Sequence, residues 1–192
     1  MANIYAISTI SMALRDLLKS ARPREPDLQN AGVELFLANN FKDASSSPTT
    51  PFLSIYMYRT AVSTVRRNLP PKIDSNGNKY NPPLPLDIHY MFTPWAAKAE
   101  VQQALLAWAM RKLEDTPTLS ASLLNNANPA HVPFGPEESV DLVFEPITIA
   151  DLLYVWEVGK PNVQVSVTYV ARAVLIDSDV MLTEGKPVQT RQ

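Results

Sequence analysis

The chain of 192 residues has no cysteine, which excludes disulfide frameworks, thiolate metal sites and cysteine nucleophiles. It has only five glycines, and none of them shows the spacing of a loop that binds a nucleotide phosphate. No window approaches the ~18 consecutive apolar residues of a membrane-spanning helix, and residues 1–15 lack the pattern of a secretory signal. We therefore expect a protein that is made in the cytoplasm, is not inserted into a membrane and carries no cofactor.

Proline is abundant by contrast, with 17 residues, and most of them lie between the periodic segments, where they predict stiff, ordered connections. Apolar residues make up 46% of the chain and charged residues 19%, which is typical of one globular domain with a thin coat of charge. That thin coat leaves room for surface that partner proteins cover. The net charge of −2 argues against nucleic acid as a partner, because a general phosphate binder carries a basic excess.

Hydrophobic periodicity predicts three helices. The first spans residues 7–18, where large apolar residues recur at steps of three and four. The second, residues 96–114, has apolar side chains nearly all round, Trp108 among them, so we expect a loop or another subunit to cover it beyond its sheet-facing side. The third, residues 149–156, follows Thr148, whose hydroxyl is suited to cap the helix N-terminus.

Alternating and β-branched residues predict a sheet that is at least partly antiparallel. Residues 68–83 contain four prolines around an Asn76-Gly77 turn signal, so we interpret them as a long arm between two antiparallel strands. Helices and strands in mixed order give an α+β fold, with a single mainly antiparallel or mixed sheet flanked by about three helices. The predicted strands are residues 33–37, 52–60, 84–92, 140–145 and 163–176.

The last predicted strand is unusually long. At a rise of ~3.3 Å per residue, residues 163–176 would extend about 43 Å, against a usual length of ~17–20 Å, so we expect part of the strand to run past its own sheet. The residues after it are polar, which predicts a tail that is mobile when it has no partner. We therefore divide the chain into a folded domain, residues 1–176, and a polar tail, residues 177–192.

Asp87 and His89 are the best candidates for a metal site. They share one face of a predicted strand, a spacing that can place two ligands side by side. Further ligands would have to come from His131, Asp141 or Glu145, and no spacing brings these to the pair. Exposed polar residues on the outer face of a sheet are the commoner explanation, so we expect no metal site.

No constellation of catalytic residues is visible. The chain lacks a Gly-x-Ser-x-Gly elbow for a serine nucleophile, and neither of its two histidines has a supporting spacing. The paired carboxylates Glu114-Asp115 and Glu137-Glu138 lie at predicted helix or loop ends, where solvation explains them better than acid–base catalysis does. We therefore expect a structural protein and not an enzyme.

Basic and aromatic residues supply the candidates for contact with a partner. Arg66 and Arg67 precede the arm, where they can bind phosphates or carboxylates of a partner, although a solvated strand end is the simpler explanation. Tryptophans are typical of cores and of interface centres. The residues that we predict to lie in an interface are Arg66, Arg67, Asn76, Gly77, Trp108, Arg172 and Arg191.

Several stretches of the chain, taken in order, resemble one known family. The most specific part is Leu86-Asp87-Ile88-His89-Tyr90, followed after the second helix by Asp115-Thr116-Pro117. The set also includes residues 7–18, 53–58, 67–68, 83–93 and 113–117, and Trp156 before residues 165–169. Together these stretches, spread over residues 4–176, resemble the cap, or tube-terminator, proteins of phage-tail-like contractile injection systems, of the extracellular virulence-cassette and antifeeding-particle type.

The resemblance implies a tail-terminator fold, a sheet flanked by helices, in residues 1–176. It also implies a hexameric ring at the distal end of the inner tube and sheath, which ends tube growth and holds the last sheath ring to the tube. The partners would be copies of the chain itself and the inner tube and sheath proteins, within a cytoplasmic or released particle. The arm, the long last strand and the tail would bridge stacked rings, with residues 177–192 contacting the sheath or the tube end.

Two other interpretations remain open on the sequence. Another structural component of the same particle, such as a tube initiator or a baseplate protein, would share the lack of chemistry and the tendency to oligomerise. A small-molecule enzyme or binding domain would need a site that the sequence does not display. A ring-forming protein differs from this last class in its mass in solution.

Overall fold

The computed structural model of the protein describes residues 3–21, 23, 25–44, 48–65, 68–159 and 163–182. Within these residues the chain forms five α-helices and eight β-strands, together with short 3-10 turns at Pro26–Leu28 and Trp156–Gly159. The helices are α1 (Ala6–Ser20), α2 (Asn40–Asp43), α3 (Ala99–Glu114), α4 (Ala121–Ala127) and α5 (Ile149–Val155). The strands are β1 (Gly32–Phe36), β2 (Phe52–Val62), β3 (Lys72–Ile73), β4 (Lys79–Tyr80), β5 (Leu84–Trp95), β6 (Thr118–Ser120), β7 (Ser139–Phe144) and β8 (Val167–Ile176).

Six of the strands form one mixed sheet in the order β1-β2-β5-β8-β7-β6. Strand β1 runs parallel to β2, and every other neighbouring pair is antiparallel. The remaining two strands, β3 and β4, form a separate antiparallel ribbon inside the predicted arm. The predicted α+β class with a mainly antiparallel sheet is confirmed, and the structure adds this ribbon and the short helices α2 and α4.

Strand β5 is buried on both faces, because a separate core lies on each side of the sheet. Side chains of successive strand residues point to opposite sides and so enter different cores. On one side Ile88, Tyr90 and Phe92 enter the main core, where they meet helices α1, α3 and α4. On the other side Met91 and Trp95 enter a second, aromatic core. The helix residues that fill the main core are fully buried and recur at helical spacing, namely Ile10, Leu14, Leu18, Leu105, Ala109, Leu113 and Leu124.

The second core is built from aromatic rings that different segments supply. Phe41 of α2 packs edge-on against Trp156, with ring centroids 5.4 Å apart, and Trp95 lies 6.1 Å from the same ring. Both indole N–H groups are satisfied, since Trp95 donates to Ser54 Oγ (2.9 Å) and Trp156 donates to Ser166 Oγ (3.2 Å). These hydrogen bonds remove the penalty of burying a polar group in an aromatic core.

The short helix α5 begins as predicted. The hydroxyl of Thr148 accepts a hydrogen bond from the backbone N–H of Asp151 (3.1 Å), which satisfies one of the free donors of the first turn. None of the seven residues of α5 is fully buried, and the buried residue that anchors this region is Trp156, directly after the helix.

The connection over residues 116–138 is more structured than its prolines suggest. It contains β6, which pairs with β7, and then α4, whose first turn is capped by Ser120. The side chain of Asn125 fixes the following loop by bonding both the N–H (3.1 Å) and the C=O (2.8 Å) of Phe134. A three-residue strand and a seven-residue helix are too short to give a clear periodicity, so the sequence patterns did not predict them.

The last strand is shorter than predicted. Strand β8 begins at Val167, which pairs with Phe92, whereas Val163 and Val165 are exposed and unpaired within the described residues. Strand β8 is paired with β5 on one side and with β7 on the other, so its ten residues lie inside the sheet. The expectation that it runs past its sheet is wrong, because β-branched residues raise strand propensity but do not supply a pairing partner.

Phe41→Ala is expected to lower the free energy of unfolding by about 3–5 kcal/mol, because the Phe41 ring is fully buried in the aromatic core. Phe144→Ala is the matched control. The Phe144 ring is 42% exposed, and the expected loss is about 1 kcal/mol. Urea unfolding followed by tryptophan fluorescence measures both values, and equal losses would contradict the role of the aromatic cluster as a second core.

Candidate assembly surfaces

Asp87 and His89, the predicted candidates for a metal pair, have partners inside the sheet. Beside Asp87, β8 carries one residue more than β5, which forms a bulge. The Asp87 carboxylate accepts a hydrogen bond (2.9 Å) from the N–H of Ala173, a residue that the bulge holds at a φ of 53°. Asp87 therefore satisfies the N–H of Ala173, which the bulge leaves without a partner in the ladder.

His89 belongs to a polar cluster with Glu145 and Tyr58. The His89 side chain is 7% exposed, so its predicted place on an exposed outer face is wrong. His89 Nδ1 and the Tyr58 hydroxyl both donate to Glu145 Oε2, at 2.7 and 3.0 Å. Burial, together with the Glu145 carboxylate, raises the pKa of the Tyr58 hydroxyl above its ordinary value of 10.0. The cluster joins β2 and β5 to the residue that follows β7, which is a structural role.

The other residues considered as ligands lie elsewhere. His131 stacks on Tyr5, with ring centroids 3.7 Å apart, and Asp141 accepts a hydrogen bond from Thr118 (3.0 Å). Among the residues that the structure describes, no group of three or more histidines and carboxylates is arranged to hold a metal ion. In the same part of the chain, no helix is long and apolar enough to cross a membrane.

The predicted arm folds into a tight hairpin. Its turn is organised by Asp74, whose Oδ1 accepts from the N–H groups of Asn76 (2.8 Å) and Asn78 (2.9 Å). Gly77 adopts a φ of 83°, a conformation that a residue with a side chain rarely adopts. The hydrogen bonds from Asn78 are the main reason why the pKa of Asp74 lies below its ordinary value of 3.8. The predicted Asn76-Gly77 turn is confirmed.

The first residues of the predicted tail are attached to this hairpin. Asn81 donates its N–H to the C=O of Val180 (3.0 Å), and Leu182 donates to the C=O of Lys79 (2.8 Å), with Tyr80 opposite Met181. Residues 180–182 thus lie antiparallel to β4, joined to it by one isolated β-bridge. The predicted mobility of the tail is wrong for residues 177–182, and residues 183–192 lie outside the described part of the chain. We call residues 72–80 and 177–182 together the arm–tail ribbon.

A charge pair closes the base of the arm–tail ribbon. Lys72 Nζ lies 2.6 Å from Asp177 Oδ2, with the two side chains 31% and 15% exposed. The sheet explains why they meet, because β8 ends at Ile176, which is the pairing partner of Leu84 at the start of β5. The tail therefore leaves the sheet beside the point where the arm enters it.

The arm–tail ribbon displays apolar side chains that the other described residues leave exposed. Ile73 is 61% exposed, and Val180 and Met181 are 57% and 55% exposed. An isolated two-stranded hairpin is marginally stable in water, and the strands of this ribbon are only two or three residues long. Such a ribbon is stabilised when another surface covers some of these exposed side chains.

A second apolar surface is a groove between α1 and β1, with a volume of about 510 Å³. We call it the α1–β1 groove. Its rim carries Ile4 (78% exposed) and Leu37 (76% exposed), and its floor is closed by Tyr90, whose hydroxyl hydrogen-bonds Ser11 Oγ (2.9 Å). The groove runs along the outermost strand of the sheet. The other apolar lining residues are Ile7, Met12, Leu35, Phe36, Ile55 and Met57.

A third apolar surface lies on α5. Ile149 and Tyr154 are 79% and 75% exposed, and Leu153 is 49% exposed. Ile149 and Leu153 are four residues apart and lie on one exposed face of the helix, whereas Leu152 and Val155 pack against the aromatic core. An exposed apolar patch of this kind marks a site of protein contact.

Helix α3 contributes less exposed surface than its sequence suggests. Leu105, Ala109 and Leu113 are fully buried, and the other large apolar residues of α3 are half-buried. Trp108 packs against the main core, and its shielded indole Nε1 has no hydrogen-bond acceptor among the described residues. Its place in an interface stays a prediction.

The remaining predicted interface residues are dispersed. Asn76 and Gly77 are exposed at the hairpin tip. Arg172 is exposed on β8 and lies across the ladder from Asp141, in a polar cleft that also contains Glu137. Their roles in an interface stay predictions. Arg66, Arg67 and Arg191 lie outside the described part of the chain.

The α1–β1 groove and the α5 surface were missed at the level of sequence. Alternation in β1 and periodicity in α1 predict that each element buries one face, but neither pattern shows which side chains its neighbours leave uncovered. Leu37 was predicted as the last residue of the first strand, and its exposure follows from the place of β1 at the edge of the sheet.

Comparison with known proteins identifies relatives of the whole domain. The family model described as the Pvc16 N-terminal domain matches residues 9–190. No curated protein sequence gives a match. The fold is similar to the sheath/tube terminator of an extracellular contractile injection system, PVC, in its extended state, with a TM-score of 0.57, 14% identity, and coverage of 97% of this chain and 61% of that chain.

The fold is also similar to the tube-terminating cap of the anti-feeding prophage, with a TM-score of 0.53, 11% identity, and coverage of 100% of this chain and 62% of that chain. The chain therefore spans about three fifths of the length of each of these two structures. At such identities the likeness establishes a shared fold.

Asp177→Ala is expected to loosen the arm–tail ribbon, because it removes the partner of Lys72. A partly exposed ion pair is worth about 0.2–1 kcal/mol, so hydrogen exchange of the Leu182 and Asn81 amides should become about twofold to fivefold faster. Asp179→Ala is the matched control, since the Asp179 carboxylate has no described partner. Unchanged exchange in Asp177→Ala, measured by NMR, would mean that the pair does not hold the ribbon.

Proposed function

Since the chain belongs to the Pvc16 N-terminal domain family, we propose that it is the structural cap of a contractile injection particle. It sits at the distal end of the inner tube and sheath, ends tube polymerisation and stabilises the extended sheath. The observation that carries this proposal is the family match over residues 9–190, which the fold shared with two tube terminators supports.

The proposed cap is a ring of six copies. A closed ring of identical subunits needs two different surfaces on each copy, one that fits the next subunit and one that fits the previous subunit. The part of the chain that the structure describes offers three exposed apolar surfaces, on the arm–tail ribbon, in the α1–β1 groove and on α5. That number is enough for two lateral contacts and a further contact to the tube or the sheath.

A cap needs surfaces that bind neighbouring subunits, the tube and the sheath, and it needs no catalytic step. The two carboxylates and the histidine that looked most like a site, Asp87, Glu145 and His89, are used inside the sheet. We infer that these hydrogen-bonded groups serve to fix strand register. The protein would be made in the cytoplasm and remain with the particle.

Particles from cells that lack the chain are expected to have tubes of variable length or sheaths that contract early, because nothing would end tube growth or hold the last sheath ring. Negative-stain electron microscopy measures the length distribution, and complementation with the full chain should restore a single length. Intact particles of normal length without the chain would refute the cap assignment.

Removal of residues 183–192 is expected to leave a folded protein with weakened capping, because we propose that this polar segment, Arg191 included, contacts the sheath or the tube end. Residues 177–182 are kept, since they belong to the arm–tail ribbon. An unchanged melting temperature checks the fold, and binding to purified tube ends checks capping. Full binding by the truncated chain would contradict the contact, and Arg191→Ala tests whether the charge alone accounts for any loss.

A further inference from the structure

The free edge of β1 is open to pairing. Strand β1 is the outermost strand of the sheet, and within the described residues no other strand lies on its far side. Natural proteins protect such edges with proline, lysine, bulges or very short strands. Strand β1 has five residues in unbroken register with β2 and contains no proline or lysine, and its single charged residue is the exposed Glu34. It is therefore competent to accept an added strand.

The opposite edge of the sheet is protected. Strand β6 has three residues, is preceded by Pro117 and runs directly into α4 through the capping residue Ser120. No long strand can pair there, because the chain turns away at both ends of β6. The contrast shows that openness is a property of β1 and not of the sheet as a whole.

The arm–tail ribbon has an open edge of its own. In the antiparallel pairing with β4, Val180 uses its C=O and Leu182 uses its N–H. Backbone groups alternate in direction along a strand, so the N–H and C=O of Met181 point away from β4. Residues 180–182 thus present backbone groups that no described residue pairs, together with the exposed side chains of Val180 and Met181, which point to opposite faces.

We propose that the arm–tail ribbon of one copy docks on a second copy, where residues 180–182 add to the free edge of β1 and the side chain of Met181 enters the α1–β1 groove. Addition of a strand at an open edge supplies backbone hydrogen bonds, and an adjacent apolar groove supplies side-chain contacts. This inference rests on the proposed ring and identifies the two surfaces that would join its subunits.

The two surfaces suit a ring because they are different from each other. One is a projecting ribbon and the other is a groove, so the contact is heterologous and repeats from copy to copy until the ring closes. The segment that follows the ribbon in the same chain fits the groove poorly. Residues 183–192 contain one large aliphatic residue, Val188, among polar and charged neighbours, whereas the groove is lined mainly by apolar side chains.

Cysteine crosslinking tests the contact directly, because the chain has no cysteine of its own. Strands in a ladder place facing Cα atoms about 4.5–5.5 Å apart, within the range that a disulfide spans. Particles assembled with Leu35→Cys/Met181→Cys or with Leu37→Cys/Met181→Cys and then oxidised are expected to give a ladder of covalent multiples of the chain in at least one pair. Ile149→Cys/Met181→Cys is the matched control, and no ladder is expected from it.

Charge substitutions give a second readout that does not need oxidation. Leu37→Asp and Met181→Asp should each raise the concentration at which the purified chain assembles by about tenfold or more, because each places a carboxylate in an apolar contact. Ile149→Asp is the control, since it changes an equally exposed residue on α5. A mixture of Leu37→Asp and Met181→Asp chains retains one intact ribbon and one intact groove, and it should form dimers that do not close into rings.

Three outcomes would overturn the inference. Rings that form and cap normally with no ladder in either double variant would show that other surfaces join the subunits, and would leave the cap function standing. A disulfide within one chain would show that the ribbon covers its own groove. Equal effects of Ile149→Asp and Leu37→Asp on assembly would show that the α1–β1 groove is not a specific contact between subunits. Failure of the cap function itself would appear separately, as tubes of normal length in the absence of the chain.

Discussion

The antiparallel ladder between β5 and β8 determines where the surfaces of this protein lie. Strand β5 is buried on both faces, by the main core on one side and by the aromatic core on the other, so its position cannot shift without loss of both. Its register with β8 sets Leu84 opposite Ile176. The arm that precedes β5 and the tail that follows β8 therefore emerge side by side, and they combine into the arm–tail ribbon.

Sequence patterns predicted the helices and strands that carry strong periodicity. The structure explains why the remaining elements were not predicted. The helices α1, α3 and α5 and the strands β1, β2, β5 and β7 follow from spacing alone, whereas β6 and α4 are too short to show a period. Asp87 and His89 alternate with apolar residues, and alternation was interpreted as an exposed face. Their actual partners, Ala173 and Glu145, lie more than 50 residues away along the chain, a distance that no local pattern can report.

The surfaces that matter for assembly are the least visible in a sequence. An exposed leucine such as Leu37 and a buried one such as Leu53 have the same letter, and only the sheet order shows that β1 has a free edge. The family resemblance supplied the expectation of a ring, and the structure shows the exposed apolar surfaces that the proposed ring would use. An open strand edge beside an apolar groove and a projecting ribbon with an open edge are complementary in hydrogen bonding and in hydrophobicity.

The proposed position of the chain at one end of the tube can be observed directly. Cryo-electron microscopy of purified particles, with an affinity label on the N-terminus of the chain, measures where the protein lies. If the chain is the cap, a single ring of labelled density is expected at the end of the tube that is distant from the baseplate. Label at the baseplate end, or distributed along the tube, would contradict it.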